Sequence, residues 1–413
     1  MKKYQKCIVI TGIIAVILAV AVSIFATGRF RRPLVAFYRI PEQNIPFIKS
    51  LLEKDADFKE YDNKVSLYSQ LQSGRKPDIL LTTSGQPLKT AESLAPKNTS
   101  VPLALFADIT TSIRSAATKA PGENYKSLPL LASHFEVDIN VRKLRKTSVK
   151  NINTWDDIAS FIRESKKKNN DLGLIFAGRD GTTTLDLLSA LAEALNGKAA
   201  YDAAVTIIQD TIAEYAQKEK PVNLDDVASR LVEGMNAPLY DAAQFLRKWI
   251  KDGLITAESF SMDRQTLSAF MQNNMASVAI MSLADHRSIK HDIIEPFTSI
   301  FFPSEMSPEL RHFVAPVYYA VPFSQNSRST ALLKKLISTE TQESLSYATG
   351  LAPALARCKT PDKQANDARY WIAATNAPLP GLSRETSLSD EQLRVLGAAL
   401  ANLIRKYGEV KAR

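Results

Sequence analysis

The stretch that decides the fold spans residues 312–353, HFVAPVYYAVPFSQNSRSTALLKKLISTETQESLSYATGLAP. Phe313, Val314, Ala315, Val317, Tyr318, Tyr319 and Val321 are apolar or aromatic, interrupted by Pro316 and closed by Pro322. That pattern predicts a strand. A polar turn, Ser324 to Ser327, then leads into a helix with Ala331, Leu332, Leu333, Leu336 and Ile337 on one face and Lys334 and Lys335 on the other. A second helix is expected from Thr339. Thr339 and Gln342 have the spacing of a capping box, in which the hydroxyl accepts from the Gln342 amide and the Gln342 side chain reaches back to the Thr339 amide. Gly350 supplies a left-handed stop, and Pro353 prevents continuation.

Outward from this stretch, the same reading yields alternating strands and helices. Residues 33–40 (PLVAFYRI) read as a strand, and Ile45, Phe47, Ile48, Leu51 and Leu52 as the helix after it. A short helix at Leu67 to Leu71 precedes a strand at 76–85, KPDILLTTSG, whose end places Thr82, Thr83 and Ser84 at the edge where open α/β sheets hold ligands. Thr154-Trp-Asp-Asp157 reads as a capped helix start, with Trp155, Ile158, Phe161 and Ile162 on the buried face. Gly173 to Phe176 is a short strand followed by a glycine loop, Ala177 to Gly181. Leu239, Ala242, Phe245, Leu246, Trp249 and Ile250 form one apolar helical stripe. A final helix has Ser389 and Gln392 as its capping pair and Leu393, Leu396, Leu400 and Ile404 as its stripe.

Taken in order, these pieces resemble the extracytoplasmic solute-binding proteins of ABC importers, family 1 (maltose-binding type). The resemblance is carried by Ser324-Gln-Asn326, Ser338-Thr-Glu-Thr-Gln342 and Gly350-Leu-Ala-Pro353, by Pro77-Asp78 before its strand, by Thr154-Trp-Asp-Asp157, and by residues 270–282, FMQNNMASVAIMS. It covers most of residues 33–353. It implies an α/β fold with two lobes of the type II periplasmic binding-protein kind. One lobe is expected to combine residues 33–140 with 320–351, and the other 141–313 with 352–413.

At 413 residues the chain exceeds what a single core usually supports, which also calls for two lobes. Lys2, Lys3 and Lys6 precede an uncharged run over residues 8–25, between a signal-peptide core and a full membrane span in length. Ala26-Thr-Gly28 has cleavage-site character, but Arg29, Arg31 and Arg32 follow at once. Residues 1–32 are therefore a signal anchor or a signal peptide, with the uncleaved anchor preferred. Either way the body lies outside the cytoplasm, in the periplasm or on the extracellular face of the membrane.

The net charge of +9 is spread rather than clustered. Its densest runs, Arg142 to Lys146 and Lys166 to Lys168, read as solvated helix ends, and nucleic-acid binding is not expected. Cys7 and Cys358 form no disulfide framework. His134, His286, His291 and His312 show no metal spacing, and His286 and His291 have no evident acidic or cysteine partner. No nucleophile motif of the G-x-S-x-G type is present. No catalysis, cofactor or metal is expected. The expected function is capture of a small polar solute, most simply a carbohydrate, by a monomer that delivers it to ABC permease subunits. The alternative is a membrane-anchored sensor that kept the fold without transport.

The resemblance and the strand-end geometry together give the expected site. Tyr38, Arg39, Thr83, Ser84, Ser133 and His134 should line one wall. Arg179, Asp180, Ser282 and Asp285 should line the other. Thr82 and Ala284 stand where maltose binders carry stacking tryptophans, so a maltodextrin is not the implied solute.

Overall fold

The computed structural model describes residues 32–168 and 171–408. The residues of the expected N-terminal anchor up to Arg31 lie outside that range. Among the described residues, no helix is long and apolar enough to cross a membrane.

The first sheet has six strands: β1 (Leu34–Phe37), β2 (Asp57–Glu60), β3 (Ile79–Thr83), β4 (Leu128–Ala132), β9 (Val317–Pro322) and β10 (Ala352–Pro353). Their spatial order is β10-β4-β9-β3-β1-β2. β1 runs parallel to β2 and β3. β9 returns from late in the chain and inserts antiparallel between β3 and β4, with Leu81 opposite Ala320 and Thr83 opposite Tyr318. β1, β3, β4 and β9 are buried along their whole length. That is why they read as continuous apolar runs instead of alternating ones.

The second sheet has four strands: β5 (Phe135–Asn140), β6 (Leu174–Phe176), β7 (Val278–Ser282) and β8 (Phe297–Ile300), in the order β6-β7-β5-β8. One of its faces packs on helices 182–196, 224–232, 240–251 and 390–408 through residues such as Leu188, Leu231, Leu246 and Leu400. The other carries a smaller core around Ile175, Met271, Met281 and Ile294. Each sheet thus has its own core, which makes two lobes.

Two expected boundaries move. The chain leaves the first sheet at Ala132 and enters the second at Phe135, so residues 135–140 pair inside the second sheet. Residues 352–373 were expected with the second lobe, but Ala354, Leu355, Ala368 and Ile372 pack in the core of the first. The chain crosses again from Val314, in the second core, to Ala315, in the first, and a third time before Leu379.

The helix starts show how far local pattern carries. Thr154 Oγ1 accepts from the Asp157 amide at 3.1 Å while the Asp157 carboxylate accepts from the Thr154 amide at 3.0 Å. Ser389 and Gln392 make the same reciprocal pair. The third expected box is displaced by one residue. Ser338 is the cap of the helix Thr339–Thr349, accepting from the Thr341 amide at 3.3 Å. Gln342 is fully buried, and its side chain instead bonds the Leu336 carbonyl and the Ala354 amide. Gly350 ends that helix at φ 69°, as its sequence position implies.

Candidate functional site: an interlobe cavity

A cavity of about 410 Å³ opens between the lobes beyond the ends of β1 and β3. On the first lobe Tyr38 and Arg39 leave β1, Thr83 ends β3, and Asn63, Tyr68 and Gln86 complete the wall. Opposite them stand Thr182, at the start of the helix Thr182–Asn196, and the segment from Ser383 to Asp390. Pockets that bind small molecules run from about 300 to 1,000 Å³, so this cavity suits a small ligand.

Local chemistry fixes the first wall. Arg39 has φ 59°, a left-handed conformation that costs a non-glycine residue roughly 1–2 kcal/mol. The Asn63 side chain accepts from the Arg39 amide at 2.9 Å and holds that turn in place. Tyr68 lies on the short helix Leu67–Gln72 between Leu67 and Leu71, which point inward, so its ring faces out and is 57% exposed.

The opposite wall is fixed by close approach. A Cβ on Gly85, at φ 91°, would lie 2.4 Å from the Arg384 carbonyl oxygen, so only glycine lets the two backbones meet. Arg384 donates to Asp186 Oδ2 at 3.0 Å and Ser383 Oγ to Asp186 Oδ1 at 2.7 Å. Burial pushes the Asp186 carboxyl up, and Arg384 and Ser383 oppose it. Two ion pairs cross to the first lobe: Arg39 with Asp390 at 2.5 Å, and Lys89 with Glu385 at 2.7 Å. Each has an exposed partner, so each is worth about 0–1 kcal/mol. They can hold the lobes together and still yield to a hinge motion.

Of the ten expected site residues, Tyr38, Arg39 and Thr83 line this cavity, and the other seven do not. Ser84 is buried and ties β3 to β9: its Oγ accepts from the Val317 amide at 3.0 Å. Its edge faces a separate cavity beside Lys89, Tyr201 and Glu385. Ser133 and His134 are buried where the chain crosses between sheets. Ser133 donates its amide to the Pro316 carbonyl and accepts at Oγ from the Ala284 amide. His134 packs edge-on to Phe313, and neither ring nitrogen has a hydrogen-bond partner. Burial, with Arg311 nearby, holds it neutral and drives its pKa down to about 3.

The four residues expected on the other wall gather elsewhere. Asp180 and Asp285 both pair with Arg264, at 3.3 and 2.9 Å, and Ser282 Oγ donates to Asp285. Arg179 is largely exposed and pairs with Asp263. The reason is chemical: the Arg264 guanidinium pairs with both carboxylates expected on that wall. The residues that replace them, Ser383 to Asp390, gave only a helix cap in the sequence. The available signal was the run of polar residues following Gly381, with no apolar period of its own.

The crossings are knitted to one another. Phe135 donates to the Val314 carbonyl, Ala315 to Leu379, and Leu379 to Phe313. Three parallel connections of this kind permit rotation of one lobe against the other while preserving the two cores.

No protein-family model matches this sequence, and no curated protein sequence matches it either. Solved structures do share its fold. The bacterial solute receptor AcbH, described as having an exclusive preference for β-D-galactopyranose, superposes with a TM-score of 0.66 at 12% identity, over 91% of this chain and 97% of that one. A chitin oligosaccharide binding protein gives 0.62 at 14% identity, over 92% and 97%. The maltose-bound MalE3 of T. maritima gives 0.59 at 13%, over 91% and 98%. The chain therefore has the two-lobed α/β fold of solute-binding proteins, and these neighbours are sugar receptors.

Proposed function

We propose that this protein is an extracytoplasmic receptor for a small polyhydroxylated solute, a sugar or short oligosaccharide. It would close around the solute by hinge rotation and hand it to ABC permease subunits as a monomer. The observation that carries the reading is the interlobe cavity at the ends of β1 and β3, with two tyrosines facing polar groups of both lobes. Tyrosine rings suit the apolar C–H faces of a sugar. Asn63, Gln86 and Thr386 offer both donors and acceptors, Arg39 and Arg384 offer donors, and Asp390 offers acceptors. The sugars bound by the structural neighbours support the same class of ligand.

A thermal-shift screen of mono- and oligosaccharides on the full-length chain tests it. A ligand at about a hundredfold its Kd stabilises by about 2.7 kcal/mol and raises the melting point. Tyr68→Ala is exposed enough to leave unliganded melting unchanged and should weaken binding by about tenfold, or ~1.4 kcal/mol. If no sugar raises the melting point, or if a sugar that does binds the Tyr68→Ala variant equally well, the reading fails. Delivery is tested by co-purification with permease subunits, whose absence from the complex would favour an anchored sensor. N-terminal sequencing that begins near Arg29 would show a cleaved signal.

A further inference from the structure

β5 carries Glu136 and Asp138 two residues apart, so both side chains leave the same face of the second sheet. Both are fully buried, and His286, from the helix Leu283–Ser288, is 3% exposed. His286 Nδ1 lies 2.9 Å from Asp138 Oδ1 and 3.4 Å from Glu136 Oε1. One nitrogen or oxygen from each of the three residues falls within 4.8 Å of the others. Ser299 Oγ is 2.9 Å from Asp138 Oδ1. The Gln364 side-chain nitrogen is 2.8 Å from Glu136 Oε1, 2.9 Å from His286 Nδ1, and in contact with Ser299 Oγ.

Three features of this cluster are unbalanced. Glu136 Oε2 and Asp138 Oδ2 are buried with no partner at all, a state that costs a polar atom about 1–3 kcal/mol and a charged one more. The groups do not balance in number: two buried carboxyl groups face a single imidazole, and among the described residues no lysine or arginine pairs with either. Finally, the Gln364 amide nitrogen meets an imidazole nitrogen that already faces Asp138. A half-turn of the amide, which leaves its shape unchanged, would bring Oε1 to that point in place of a second donor.

We propose that Glu136, Asp138 and His286 bind a divalent first-row transition-metal ion, zinc being the best match, with Gln364 Oε1 as a further ligand. One imidazole nitrogen among carboxylate oxygens suits such an ion and excludes magnesium and calcium, which take oxygen ligands. A divalent charge cancels both carboxylates and leaves the imidazole neutral, as a metal ligand must be. The site is distinct from the solute cavity, which none of these residues lines. Glu136 and Asp138 belong to the second sheet, and His286 to the helix Leu283–Ser288 that follows β7 of that sheet. Gln364 sits on the helix Lys363–Ala373, whose Ala368 and Ile372 pack in the core of the first lobe. The ion therefore ties the lobes together beside the crossings and sets how freely they rotate.

The test is a titration of the full-length chain, stripped with chelator, with zinc chloride against a chromophoric competitor. One equivalent of zinc should bind. His286→Gln and Asp138→Asn should each weaken binding by at least about a hundredfold, the upper end of what loss of a ligand's own hydrogen-bond partner costs. His291→Gln, at an exposed histidine, should leave it unchanged. X-ray absorption of the zinc-loaded wild-type protein should show one imidazole with oxygen as the remaining neighbours, and it needs no variant to fold. Absence of a tight equivalent, retention of affinity in the folded His286→Gln and Asp138→Asn variants, or a spectrum with two imidazoles or any sulfur would each overturn the proposal.

Discussion

Two of the buried charge clusters in the second lobe lie beside the same sheet, and they are built on opposite terms. Around Asp171, ahead of β6, every oxygen is used: Lys143 Nζ, Ser165 Oγ and Ser277 Oγ converge on Oδ2 at 2.6, 2.7 and 2.5 Å, and the Gly173 amide takes Oδ1. One carboxylate meets one ammonium, so the charge closes. Around Glu136 and Asp138 two oxygens are orphaned, and two carboxyl groups share a single imidazole. Burial is the same in both places. What differs is whether the protein alone supplies the partners, and that separates a cluster that holds the fold from one that awaits a ligand.

The largest expected effect tests the first half of that contrast. Asp171→Asn keeps the shape but leaves Lys143 as a buried charge without a counter-ion. Removing one partner of a buried pair costs about 3–5 kcal/mol, and urea unfolding should show that loss. A cost under about 1 kcal/mol would mean that water reaches Lys143 and that the cluster is not sealed.

A finer cut removes one arm. Ser277→Ala deletes a single donor to Asp171 and leaves the ion pair intact. A hydrogen bond to a charged group is worth about 1.5–3 kcal/mol, so the loss should be smaller than for Asp171→Asn and additive with nothing else in the cluster. Equal losses for the two variants would show that the network fails as a unit.

The same contrast explains what the sequence could and could not disclose. Residues 135–140, FEVDIN, alternate as a strand with one wet face does, yet all six are buried. Period alone cannot tell a face covered by solvent from one covered by His286, Ser299 and Gln364, which pair with it across 148, 161 and 228 positions. His286 was read as lacking an acidic partner for this reason. Where a partner lies within four residues, as in Thr154 with Asp157 or Ser389 with Gln392, the reading holds, except at the Thr339 box, which slips by one residue to Ser338. β3 and β9 were legible because their burial on both faces writes itself as an apolar run. The cavity was half legible: strand ends pointed to Tyr38, Arg39 and Thr83, whereas Ser383 to Asp390 reach it only through Gly85 and Gly381, by packing that no local pattern encodes.

The smallest expected effect is the sharpest discriminator. Glu136→Gln preserves volume and keeps an oxygen for the Gln364 amide, but removes one carboxylate from the unbalanced cluster. Burial, and then Asp138, push the Glu136 carboxyl above its usual range, so in the metal-free protein its charge is already opposed. Deleting a charge that burial and a like-charged neighbour already oppose removes a desolvation cost along with the attraction to His286, and the two offset. In chelator, unfolding of Glu136→Gln should therefore differ from wild type by no more than about 1 kcal/mol, in either direction. With zinc present the order should change: the wild-type protein gains stability from the bound ion and the variant gains less. A loss of about 3 kcal/mol or more in chelator would place Glu136 in the same category as Asp171, a carboxylate whose partners are all in the fold. The two clusters would then differ only in geometry, and the orphaned oxygens would need another explanation.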